Sequence, residues 1–209
     1  MQKLWKDNRG LFLFIAGMMM FRSAIADWND VPTGSMLPTI TEGDRITINK
    51  MAYGLRVPFT GQLITEAHSP ERGDIVVFDS VAADKRLVKR VVGLPGDKVA
   101  MHNHRLIING EALAYKELGD RLFIEELADR PHKVRIDQAN GPLANFETVT
   151  VPADQYLVLG DNRSHSADSR VYGFIPQQEL RGRAGKVAIS FDYENYFLPR
   201  SDRFAKDLD

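Results

Sequence analysis

Residues 86–97 read Arg86-Leu87-Val88-Lys89-Arg90-Val91-Val92-Gly93-Leu94-Pro95-Gly96-Asp97, an aliphatic strand that stops at a Gly/Pro/Asp turn. Side chains alternate across a strand, so Leu87, Lys89 and Val91 share one face while Val88, Arg90 and Val92 share the other. Each face thus sets one cation between aliphatic neighbours. Arg90 keeps its proton in a protein and can only pair or stack. Lys89 can lose its proton, because burial strips the ammonium of hydration and lowers its pKa from about 10.4. A neutral amine is a base. A snorkelling lysine on a half-exposed strand would use the same residues, and the strand alone leaves both readings open.

On either side the chain is also mostly strand-like. Asp44 to Lys50 alternates with period two, Gly73-Asp74 leads into Ile75-Val76-Val77-Phe78, and Gln155 to Leu159 runs into Gly160-Asp161. Arg105 to Ile108, Asn109-Gly110 and Glu111 to Leu113 read as a hairpin with a type I′ turn. Further strands are predicted over 147–152 and 184–191. Residues 111–146 are more polar and irregular and predict a small inserted lobe. The fold class expected is mainly β, a β-sheet core carrying that lobe.

Composition limits what such a fold can do. A chain of 209 residues can bury one good-sized core, and 27 Lys and Arg against 28 Asp and Glu give no basic surface for nucleic acid. Without cysteine there are no disulfides and no thiolate chemistry. The one membrane signal is Gly10 to Phe21, uncharged and preceded by Lys3, Lys6 and Arg9. It predicts a cytoplasmic segment 1–9, a transmembrane anchor over 10–26 and an extracytoplasmic domain over 27–209. Arg22 would reach the outer headgroups beside Trp28. Ala24-Ile25-Ala26 also fits the end of a cleavable secretory signal, against which Arg22 argues.

A few residues beyond that stretch stands Pro32-Thr33-Gly34-Ser35-Met36-Leu37-Pro38-Thr39. Gly34 clears space beside the Ser35 hydroxyl and the prolines stiffen both flanks, although an ordinary turn would look the same. A serine nucleophile needs a base, and five histidines are available. His68 and His132 lack suitable neighbours. His102 and His104 would share a strand face at the surface without a matching carboxylate pair. His165, between Asp161 and Asp168, is the histidine that merits testing. It lies in a third element, Gly160-Asp161-Asn162-Arg163-Ser164-His165-Ser166-Ala167-Asp168-Ser169-Arg170.

The octapeptide around Ser35, the strand around Lys89 and this third element, in that order, resemble the type I signal peptidases, membrane-bound proteases that use a serine and a lysine. The resemblance covers most of residues 28–110 and 147–192. It implies Ser35 as nucleophile, Lys89 as general base, and Ser166 orienting the lysine amine. The Ser35 N–H and the Thr33 hydroxyl would hold the oxyanion, with pairs Arg90–Asp161 and Asp168–Arg170 as supports. Val31, Pro32, Met36, Ile40, Leu87 and Val88 would contact the substrate and favour small side chains. The implied substrates are signal peptides of exported preproteins, cut at the outer face of the bacterial cytoplasmic membrane in contact with lipid, without metal or cofactor. Two other classes share these features: Ser-Lys peptidases such as self-cleaving repressors or conjugation-type processing enzymes, and a membrane-tethered binding module that has lost catalysis. No DNA-binding domain fits in the first thirty residues, and the joint presence of Ser35, Lys89 and Ser166 argues against the binding module.

Overall fold

The computed structural model describes residues 2–24, 26–54, 57, 64–65, 68–137 and 141–208. Helix α1 (Gln2–Ala24) leads into β1 (Ala26–Asp30), β2 (Asp44–Asn49), β3 (Ile75–Ser80) and β4 (Lys85–Gly93). A meander follows through β5 (Lys98–His102), β6 (Arg105–Ile108) and β7 (Glu111–Ala112). The lobe contributes β8 (Tyr115–Gly119), β9 (Leu122–Leu127) and β10 (Arg130–Arg135). The chain returns through β11 (Phe146–Thr150), β12 (Gln155–Leu159), the short helix α2 (Ser169–Tyr172), β13 (Ile175–Pro176), β14 (Leu180–Asp192) and β15 (Leu198–Pro199).

The main sheet runs β1-β2-β14-β3-β4-β12-β13, with β15 on β14; β11-β5-β6-β7 and β10-β9-β8 form two smaller sheets. In the hairpin between β6 and β7, Asn109 and Gly110 have φ of 53° and 88°, the left-handed pair that a type I′ turn needs. Strand β4 is central because its aliphatic residues serve three packed clusters. Leu87 and Val91 join Val76, Phe78 and Tyr156; Val88 packs with Val31, Met36 and Val77; Val92 packs with Val99, Leu106 and Leu157. Lys89 faces Val76 in the ladder with β3. On the other edge, β12 pairs with β4 at Arg90, Val91 and Gly93. Among the described residues nothing pairs with Lys85 to Lys89 on that edge, so the sheet opens there.

Two expectations need correction. The expected anchor over 10–26 ends earlier: one helix covers 2–24, and Ala26 already belongs to β1, which pairs antiparallel with β2. No helix among the described residues is long and apolar enough to cross a membrane. The uncharged run of residues 10–21 would span about 18 Å at ~1.5 Å per residue, well below a ~30 Å hydrocarbon core. Arg22 does lie beside Trp28. Its guanidinium lies 4.6 Å from the Trp28 ring centre and 2.9 Å from the Asp27 carboxylate, tying the helix end to β1. Ile25, in the alternative cleavage motif, lies outside the described residues. Finally, the lobe is not irregular, and residues 111–112 belong to the hairpin sheet. Polar faces hid three antiparallel strands whose residues are half exposed.

Those strands carry a buried polar network. Arg163 Nη2 donates to Glu125 at 2.7 Å, the Tyr115 hydroxyl donates to the same carboxylate, and His132 Nε2 lies 3.3 Å from it. Arg163 and its electrostatic neighbours hold the Glu125 carboxyl well below the usual range despite complete burial. Asp161 is also lowered, Arg90 being the partner that outweighs its burial. Carboxyls with lowered pKa stabilise the fold above the ordinary value of about 4, and that contribution disappears as pH falls through the folded-state value. Unfolding free energy should therefore drop on acidification below about pH 4. Glu125→Ala should cost about 3–5 kcal/mol at neutral pH, because it strands the Arg163 charge in the interior. Urea denaturation of both proteins across pH measures each effect; a Glu125→Ala protein as stable as the parent would contradict it.

Candidate active site

Ser35 sits in a single 3-10 turn, Gly34–Met36, pinned on both sides. Upstream, Val31 N–H donates to Asp44 O at 2.9 Å; downstream, Ile40 N–H donates to Met36 O at 2.9 Å. The side chains of Val31, Met36 and Ile40 are buried in one cluster. The turn therefore cannot rotate without unpacking the core, and Ser35 itself stays half buried at the surface of a groove.

Lys89 reaches this turn from the point where β4 loses its β12 partner. Its Nζ lies 2.7 Å from Ser35 Oγ and 3.0 Å from Val88 O. Only 2% of Lys89 is exposed. Burial lowers its pKa to about 8 from the ordinary lysine value, although Asp168 and Asp161 pull it upward, and Lys85 and Arg170 add smaller pushes downward. The net shift amounts to roughly 3 kcal/mol against the charged amine. At mild alkaline pH much of the amine is neutral, and the contact can run from the Ser35 O–H to the lone pair of Nζ.

The loop after β12 closes the site from the other side. Arg90 holds Asp161 through two bonds of 2.9 and 2.8 Å, both groups buried, and Thr39 donates its hydroxyl to the same carboxylate. Arg170 holds Asp168 in the same two-pronged way at 2.8 and 2.7 Å, while Gly160 N–H donates to Asp168 at 2.9 Å. Gly160 also permits the close approach. A Cβ there would fall 2.2 Å from Ser166 Oγ and 2.4 Å from Ser35 O, so only glycine fits.

Most of the expected residues converge, with specific exceptions. Ser166 is buried beside Gly160, but Lys89 donates to Ser35 and Val88, and no bond joins it to Ser166. The Ser166 hydroxyl is near enough to help hold Asp168 low, yet it meets no partner at hydrogen-bonding geometry among the described residues. Thr33 is exposed at the groove, and its hydroxyl caps no backbone group. The groove encloses about 590 Å³ and takes its walls from Val31, Pro32, Met36, Leu87 and Val88. Ile40 is absent from this lining: fully buried, it anchors the serine turn from below. His104 is buried rather than at the surface, because β5 ends at His102 and the chain turns through Asn103 and His104. His165 lines the groove rim and pairs with Asp137 at 3.0 Å, away from the serine hydroxyl.

Sequence reasoning overlooked Asn162, which donates from its side chain to Gly34 O and from its backbone to Ser35 O. Its place in Gly160-Asp161-Asn162 looks like ordinary turn chemistry, and only the fold shows that the serine turn lies against it. His132, without suitable neighbours in its own segment, finds its context on the paired strand and in the loop after β12: Glu125 at 3.3 Å and Asp161 at 3.9 Å.

The Ser35 hydroxyl thus lies against a buried lysine amine whose pKa is lowered, and comparison with known proteins identifies the family. The family model described as signal peptidase, peptidase S26, matches residues 6–189. A signal peptidase I of Pseudomonas aeruginosa is 34% identical over 86% of this chain and 69% of its own length. One of Pseudomonas fluorescens is 35% identical over the same shares, and a probable signal peptidase I-2 of Synechocystis is 37% identical over 78% of this chain and 63% of its own. A crystal structure of a signal peptidase I from Enterococcus faecalis, 29% identical, aligns with 56% of this chain and 97% of that one at a TM-score of 0.38. The chain belongs to the signal peptidase S26 family and is a serine endopeptidase.

Gly160→Ala should reduce turnover by at least ~100-fold, since the new methyl must push either Ser166 or the Ser35 carbonyl from its place. Thermal unfolding together with steady-state kinetics tests this. A folded Gly160→Ala enzyme with parental kcat would show that the approach is not needed.

Proposed function

We propose that Ser35 is the nucleophile and Lys89 the general base and acid in the cleavage of signal peptides from exported preproteins. The observation that carries this reading is the 2.7 Å contact between Ser35 Oγ and an amine kept partly neutral by burial. In the forward step Ser35 Oγ attacks the scissile carbonyl and its proton passes to Lys89 Nζ. The carbonyl oxygen takes the negative charge, for which the Ser35 N–H and the Thr33 hydroxyl are the proposed donors. When the intermediate collapses, Lys89 returns the proton to the departing amine. A water deprotonated by the same amine then hydrolyses the acyl-enzyme. Arg90–Asp161 and Asp168–Arg170 hold the loop that faces the lysine, in which Ser166 lies buried against Gly160.

The open edge of β4 suits an extended substrate, whose backbone can pair there in place of a strand. Side chains on either side of the cut would then meet Leu87, Val88, Pro32 and the buried Met36, a wall with room for small residues.

We further propose that α1 tethers the enzyme to lipid. Leu11, Phe12, Leu13, Phe14 and Ile15 are consecutive and all at least 41% exposed, so apolar side chains surround the helix there. A helix apolar all round calls for an apolar environment. A bilayer can thin around a short segment while flanking cations snorkel. Lys3, Lys6 and Arg9 would stay cytoplasmic, which puts the groove on the outer face.

Three measurements bear on the reading. Ser35→Ala, Lys89→Met and Lys89→Arg should each lower cleavage of a model preprotein by at least ~100-fold with the fold intact, arginine failing because it cannot deprotonate. His165→Ala should keep substantial activity; a loss matching Ser35→Ala would sink the lysine mechanism. Replacing alanine before the cut by phenylalanine should remove most turnover, and equal rates would refute the groove assignment. Carbonate extraction of cells should leave the full chain with the membranes and release a chain lacking residues 1–24; release of both would contradict the tether.

A further inference from the structure

The peptide unit that supplies the Ser35 N–H has its carbonyl tied at two points. Gly34 O accepts from Asn162 Nδ2 at 2.9 Å and from Leu37 N–H at 3.1 Å. The following carbonyl, Ser35 O, accepts from the Asn162 backbone N–H at 3.1 Å. One residue therefore grips the peptide units on both sides of the serine. The Gly34–Ser35 bond is trans, so its carbonyl and its N–H point in opposite directions across a rigid plane. Holding Gly34 O toward Asn162 aims the Ser35 N–H away from the 160–163 loop. That N–H has no acceptor among the described residues, and Ser35 lines the groove. Bonds accepted by the carbonyl also polarise the N–H of the same unit and strengthen it as a donor.

Asn162 is itself held. It is 5% exposed, forms a parallel bridge with Arg135 of the lobe, and follows Asp161, which Arg90 locks in place. Its amide orientation follows from its partner, because a flipped amide would set two carbonyl oxygens against each other.

We infer that Asn162 is a positioning residue for oxyanion stabilisation: by holding the Gly34 carbonyl, its side-chain amide aims the Ser35 N–H at the oxygen of the tetrahedral intermediate. The inference rests on Ser35 as nucleophile and Lys89 as base. It requires Asn162 to act on the transition state and not on substrate binding, because the oxyanion exists only there.

Two peptides of one small-residue sequence, ending in an aldehyde and in the corresponding alcohol, separate the possibilities. With the aldehyde, Ser35 Oγ forms a bond to the carbonyl carbon, the C=O π pair moves to oxygen, and the serine proton goes to Lys89. The adduct therefore needs the donor, whereas the alcohol only occupies the groove. Asn162→Leu keeps the volume without the amide, and Asn162→Ala, which only removes atoms, serves where leucine disturbs packing; circular dichroism and thermal melting verify the fold of each. Losing an oxyanion donor outright costs ~100-fold or more, so a misaimed donor should weaken the aldehyde by about tenfold or more. The alcohol should stay within about twofold of wild type, and kcat should fall with KM unchanged. Unchanged aldehyde affinity, or equal weakening of both peptides, would overturn the role assigned to Asn162. A wild-type enzyme that binds the aldehyde no better than the alcohol would overturn the Ser35–Lys89 reading, and the inference with it.

Discussion

An ammonium held out of water at the place where a closed sheet opens into a groove is the constraint around which this molecule is arranged. Val76 lies beside Lys89 in the ladder, and Leu87 and Val91 belong to the aliphatic packing that keeps solvent from the strand. Two carboxylates, Asp161 and Asp168, lie close enough to pull the lysine back toward its charged form. They do not prevail, because each is already engaged by an arginine, Arg90 and Arg170 respectively, through two bonds. The pairs thus do more than brace a loop. They neutralise charges that would otherwise pull Lys89 back toward its charged form.

The same arrangement explains why the lobe matters to a site it does not touch directly. Arg163, in the loop beside the serine, is satisfied by Glu125 of β9, and Arg135 of β10 donates its N–H to Asp161 O at 2.8 Å. The loop that faces Ser35 and Lys89 is fastened on one side to β4 and on the other to the lobe. Such fastening on two sides keeps the loop at a fixed place against the groove.

Much of this was legible in the chain. Period-two alternation gives β2, aliphatic runs give β3, β4 and β12, and the Asn109-Gly110 turn gives β6, nearly to the residue, because each strand is half or fully buried and writes its environment into its side chains. Strands β8 to β10 were not legible, since exposed residues such as Lys116, Glu117 and Lys133 carry no apolar alternation. The length of α1 was missed for a related reason: its charged first turns do not look like the start of an apolar helix. Ser35 and Lys89 stand out through their neighbours and the family resemblance. Asn162, Gly160 and His132 do not, because the first two meet the serine turn across more than a hundred residues and the third meets buried carboxylates on the neighbouring strand and in the loop after β12. Ile40 shows the converse. An apolar residue near a nucleophile reads as substrate lining, and only packing reveals that it supports the turn from inside.

The central claim is that burial sets the protonation of Lys89. Its most direct test is a heteronuclear NMR titration of the Lys89 amine in the folded Ser35→Ala protein, with resonances assigned by comparison with Lys89→Met. The account predicts a midpoint near pH 8, where desolvation has lowered the amine. A midpoint at the free-lysine value of about 10.4 would show that the amine is solvated and charged, and would contradict the account.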